Sequence, residues 1–135
     1  MNSTLSALTG FIAWTLFLLV AMETLRSKMV LSKEIRANGF QPDNGNLSPF
    51  MQRLARAHAN CLEGLPIFGG LMLVAAAAGQ SGATDPLAWW LLGARIVQST
   101  LHLASLSEAA VTLRFTAFAV QVGIAIVWVT KLLAL

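Results

Sequence analysis

Four long apolar runs separated by polar segments constrain this chain more than any other feature. A bilayer core about 30 Å thick needs roughly 20 apolar residues in a helix, with about 17 as the lower limit. Leu5 to Met22 carries no charge, and Gly64 to Gly79 forms a second run, extended at its start by the semi-polar stretch around Asn60. Pro86 to Leu106 is interrupted by Arg95 and His102, and Ala109 to Leu135 by Arg114 near its start and Lys131 near its end. The expectation is a single all-α domain, an integral membrane four-helix bundle, with spans at about 5–25, 56–79, 86–106 and 110–134. Composition agrees: 11% of residues are charged, against about a quarter in soluble domains. The polar residues are too few to cover a soluble globule. The first run lacks a basic leader and a clean small-residue cleavage site before Glu23 and Arg26, so it reads as a retained span rather than a secretory signal.

The longest polar segment, Glu23 to Arg53, is rich in Lys and Arg, and Asn38-Gly39, Pro42-Asp43-Asn44-Gly45 and Ser48-Pro49 are turn signals within it. Basic loops favour the cytoplasm, so both termini are expected outside it, and the first and third connections within it. Lys131 opposes this only weakly, because a lysine near a helix end can snorkel to either interface. Pro86 suits the first turn of the third span, where its missing N–H costs nothing. The net charge of +3 is dispersed, with no basic run to hold nucleic acid, and the single cysteine, Cys61, excludes an intrachain disulfide. No metal site is expected. Gly69, Gly70, Gly79, Gly93 and Gly123 would allow close helix contact in lipid, or are ordinary membrane-helix composition.

The chemistry concentrates in two stripes. On a helix, Arg53, Arg56, Asn60 and Glu63 fall within about 80° of one another, a polar line running into the membrane. Arg95, Gln98 and His102, spaced i, i+3, i+7, share one face of the third span. Charges at this depth cost several kcal/mol unless paired, so these faces must meet each other or a wet cavity. Glu63 and Arg95 alone read equally well as an ion pair joining two helices. The remaining cations exceed the carboxylates, which points to an anionic guest with several carboxylates. His58 reads as interfacial rather than catalytic. Cys61, about 100° around the helix from Asn60, reads as packing rather than a nucleophile.

The run Arg56-Ala57-His58-x-Asn60-x-x-Glu63-x-x-Pro66 resembles the second-helix signature of the MAPEG family, the membrane-associated proteins of eicosanoid and glutathione metabolism. These include microsomal glutathione transferases, prostaglandin E synthase, leukotriene C synthase and an activating-protein relative. The likeness extends to the whole layout of four spans, a long basic first loop and a short second one. It implies a left-handed four-helix bundle assembled as a homotrimer, with glutathione held between subunits near the cytoplasmic side. By the same resemblance Arg56, Asn60 and Glu63 hold the peptide, Arg26 at the end of the first helix and Arg95 in the third contribute, and Arg114 stabilises the thiolate. A guanidinium beside a thiol favours its charged, nucleophilic form, and the amino terminus of the fourth helix is expected to add to that field.

The sequence departs from the family in three ways. It has no tyrosine, so Gln98 or His102 stands where several relatives place third-helix tyrosines; Ala59 replaces an arginine of some relatives; and the third loop differs in length from the prostaglandin synthase pattern, which bears on Arg114. The reading that follows is a glutathione-dependent transferase or peroxidase for hydrophobic electrophiles, with Arg114 catalytic and Arg26, Arg56, Asn60, Glu63, Arg95, Gln98 and His102 binding glutathione. The alternative is a non-catalytic membrane lipid-binding protein of the activating-protein type. The short loops and missing tyrosine point to a bacterial inner membrane rather than endoplasmic reticulum.

Overall fold

The computed structural model describes residues 1–135. It is all-helical: α1 (Ser3–Leu31), α2 (Pro49–Ala77), α3 (Asp85–Ala104) and α4 (Glu108–Leu133), with a π-helical turn at Leu65–Gly69 inside α2 and a short 3-10 turn at Ser81–Ala83. Local chemistry sets the ends. Asn2, Ser48 and Ser107 each cap a helix, their side chains accepting from the amides of Leu5, Met51 and Ala110. Gly79, at φ +68, closes α2 in the left-handed conformation, and the Gln80 amide bonds back to the Ala75 carbonyl at 2.7 Å. Lys33, at φ 60, ends α1 the same way, with Glu34 N–H reaching the Met29 carbonyl at 2.9 Å.

α1, α2 and α4 are long and apolar enough to cross a membrane. α3 is 20 residues long, and its polar side chains Arg95, Gln98 and His102 are turned inward. It packs against all three other helices. Only 31 of 135 residues are buried, while Leu16, Phe17, Trp90, Phe115 and Ile126 are exposed. An apolar exterior around a partly polar centre is the distribution that lipid selects. The interior has two apolar clusters: one around Phe11, Met72, Leu91 and Trp128, the other around Leu18, Met22, Leu54 and Cys61. Arg95, Gln98, Ser99 and Gln121 are buried at the level between them.

Three helical glycines allow close approach, Gly10 against Leu92, Gly64 against Arg95 and Gly69 against Leu8, whereas Gly70, Gly79, Gly93 and Gly123 have no neighbour within 4 Å of a would-be Cβ. Of the five glycines named from sequence, Gly69 alone makes the contact. At the end of the bundle carrying the chain's amino terminus, Asp85 Oδ1 accepts from the buried Thr4 amide at 2.9 Å and from the Thr4 hydroxyl, which also meets Thr84 Oγ1 at 2.6 Å. Asp85 thus satisfies an amide in the first turn of another helix, one of the donors an α-helix cannot bond internally. Asp85→Ala should lower stability by about 1–3 kcal/mol, because it orphans that amide, and thermal unfolding in detergent followed by circular dichroism checks it; Asp85→Asn, which keeps an acceptor, should retain most of the stability.

Candidate functional site

The site begins with a disruption in α2. Pro66 has no N–H to donate to the preceding turn, and the helix widens into the π turn Leu65–Gly69 at this point. Gly64, just before the turn, lies against Arg95 of α3: a Cβ there would stand 2.8 Å from Arg95 Nη2 and 3.1 Å from the Phe68 ring. Glycine therefore lets the guanidinium reach this surface. Arg95 is 1% exposed, and its Cζ sits 5.5 Å from the Phe11 ring centroid and 5.7 Å from that of Phe68. Two ring faces attract the cation, yet Nε and Nη1 have no hydrogen-bond partner.

The Arg95–Glu63 ion pair that sequence allowed does not form within the chain, whose single ion pair is Arg26–Glu23 at 3.3 Å. Arg95 points inward between rings, while Glu63, one residue before Gly64, is exposed on the outer face of α2. Both line one groove of about 810 Å³ between α2 and α4. Asn60, Glu63, Arg95 and Gln98 supply its polar end, and Phe118, Val122, Ile126 and Leu133 of α4 continue it as an apolar wall.

The remaining sequence-predicted residues lie outside that lining. His102 is buried, with Nδ1 3.3 Å from Asn60 Nδ2, which links it to the groove. Arg53, Arg56 and Arg114 have no carboxylate partner within the chain. Arg53 Nε donates to the Leu103 carbonyl at 3.0 Å, capping the end of α3. Arg56 is exposed; Arg114 is half-buried, and its Nη1 is sealed in without a partner. α4 begins at Glu108, six residues before Arg114, or about 9 Å along the axis. The helix-terminus field expected at Arg114 is therefore corrected: the effect fades beyond the first turn.

Arg26 serves the loop after α1. Its Nε donates to Asn44 Oδ1 at 3.0 Å, Nη2 reaches Asn44 and the Gln41 and Pro42 carbonyls, Nη1 meets Glu23, and the Phe40 ring lies 5.3 Å below. Asn44, fully buried at φ 56, passes the connection on by donating to the Met51 carbonyl at 2.7 Å. Cys61 is fully buried with Sγ 3.1 Å from Ser99 Oγ, so it packs in the core, and His58 is half-buried on α2.

Sequence reasoning missed Gln121. It is fully buried on α4 and donates to Gln98 Oε1 at 2.8 Å and to the Ala117 carbonyl at 3.1 Å. The available signal was a lone polar side chain inside the apolar run Phe118 to Trp128, which must find a partner in the bundle. The pairing of Arg95 with Phe11 and Phe68 had no such signal.

Chemically, the polar end offers amides, one carboxylate and one edge of the Arg95 guanidinium, whose Nε and Nη1 are sealed behind it, beside an apolar wall. One cation and one carboxylate at the same end can hold a zwitterionic polar group, Arg95 donating to an anion and Glu63 accepting from an ammonium or amide N–H. No curated protein and no solved structure matches the chain. The model of the MAPEG family matches residues 4–134, nearly the whole sequence, and takes in all four helices. The chain is a member of the MAPEG family, an integral membrane helical bundle.

Proposed function

We propose that this protein binds glutathione between the subunits of a homotrimer and turns its sulfur on hydrophobic electrophiles. It either adds the sulfur to carbon with loss of the leaving group, as a transferase, or reduces a hydroperoxide to the alcohol and water while two glutathiones become the disulfide, as a peroxidase. The observation that carries the reading is the surplus of cations: Arg95 and Arg114 hold buried donors without partners, and Arg56 has no carboxylate within the chain. Glutathione brings two carboxylates to offset them and supplies a thiol that is nucleophilic once ionised. In this reading Arg56, Asn60, Glu63, Arg95, Gln98 and His102 bind the peptide. Arg26, whose donors hold the loop, contributes its charge from the loop side. Arg114 favours the thiolate through its guanidinium alone. The apolar wall of α4 opens to lipid, from which an electrophile reaches the sulfur. The loop at 32–48, flanked by Arg26 and Lys28 on α1 and Arg53 on α2, faces the cytoplasm of a bacterial inner membrane, and both termini lie opposite.

Calorimetric titration of the detergent-solubilised protein with glutathione tests this. Wild type should bind, Glu63→Gln should weaken binding about tenfold through loss of a charge-assisted hydrogen bond, and native mass spectrometry should find a trimer. No binding by wild type, or a monomer, contradicts the reading; unchanged affinity in Glu63→Gln removes Glu63 from the site.

A second reading, a non-catalytic lipid carrier, is favoured by the mostly apolar lining of the groove. The two differ in turnover, since a carrier has no use for the partnerless donor of Arg114.

A further inference from the structure

Gln121 is outside the groove lining and has no part in the roles above. Its bond to the Ala117 carbonyl, at 3.1 Å, decides which way its amide faces. A main-chain carbonyl can only accept, and a flipped Gln121 would set oxygen against oxygen there. The donor end is therefore fixed toward Ala117 and Gln98, and Gln98 must present its own oxygen to it, at 2.8 Å. Gln98 Nε2 is left facing the other way. It makes no bond within the chain and is not among the sealed, partnerless atoms, and the open space beside Gln98 is the groove.

We infer that Gln121 is a positioning residue that turns the Gln98 amide so that it donates into the groove, selecting guests with a hydrogen-bond-accepting oxygen at their polar end. Terminal amide torsions are broad and nearly two-fold, so without this bond Gln98 would present oxygen and nitrogen alike. Arg95 beside it also offers only donors, and the two together favour a carbonyl, hydroperoxide or similar oxygen over an apolar or halide end. The inference rests on the groove seating a guest with its polar end at Gln98 and Arg95, the place the proposed function gives to glutathione and that a lipid-soluble guest takes when glutathione is absent.

The test is equilibrium competition against a fluorescent dodecyl probe in detergent, without glutathione, using 2-tridecanone and 1-chlorotridecane as competitors of equal size. Wild type should favour the ketone. Gln121→Leu should reduce the ketone's affinity about fivefold, the worth of one hydrogen bond, and leave the chloride's unchanged. Gln98→Leu should show the same loss, and the double variant no more than either single, because Gln121 acts only through Gln98. If Gln121→Leu fails to fold, Gln121→Met carries the same expectation. A merely structural Gln121 would weaken both competitors alike and add to Gln98→Leu in the double variant, and either result overturns the inference. Because glutathione is omitted, the expected pattern in a protein that does not bind glutathione would retain the positioning role and reject the transferase reading. Glutathione binding without the pattern would do the reverse.

Discussion

Arg95→Met should abolish most glutathione binding, about 100-fold in affinity, without lowering the thermal stability of the protein. The two halves of this expectation come from the same geometry. Arg95 is buried with Nε and Nη1 partnerless and no carboxylate paired to it, so the folded chain carries the desolvation of an unsatisfied cation. Phe11 and Phe68 return part of that through their ring faces, about 2 kcal/mol for a desolvated contact. Methionine fills the same space, and its sulfur makes favourable contacts with both rings. Stability should therefore hold or rise. The ligand loses a buried charge partner, a change that costs about 2–5 kcal/mol in binding. A variant that is destabilised but binds normally would make Arg95 a structural residue only.

Arg114→Ala should separate chemistry from binding. Its half-buried guanidinium has one sealed, partnerless nitrogen, and its place in the second turn of α4 leaves the side chain itself as the source of positive field. Removing a preorganised electrostatic partner of a developing or resting anion typically lowers turnover about 100-fold or more. Steady-state kinetics with a hydrophobic electrophile should show that fall in kcat with the KM for glutathione changed about threefold or less. A rise in KM with kcat preserved would move Arg114 from the chemical step to peptide binding.

The four helices were legible because apolar runs of this length, two of them free of charge, have few alternatives, and the i, i+3, i+7 spacing of Arg95, Gln98 and His102 marked the face that the bundle buries. Boundaries were less so. Ser48-Pro49 reads as a turn in sequence, yet Ser48 is the N-cap and Pro49 the first residue of α2, which therefore starts well before Arg56. α1 runs on to Leu31 because its polar last turns remain good helix formers outside the apolar run. Within the site, spacing placed residues on a face but not their partners. Arg95 finds aromatic rings rather than Glu63, since the inward and outward sides of α2 differ by a single residue at Glu63-Gly64. Arg26 is drawn to the loop by Asn44, a contact across 18 residues that no local pattern announces.

On the proposed function, a glutathione thiolate is held in the membrane by this chain's unpaired arginines. The most direct measurement is thiolate ultraviolet absorbance as purified protein is titrated with glutathione at neutral pH. A saturable thiolate band in wild type, lost in Arg114→Ala while calorimetry still detects the peptide, is the expected result. Binding of glutathione without any thiolate band in wild type would contradict it.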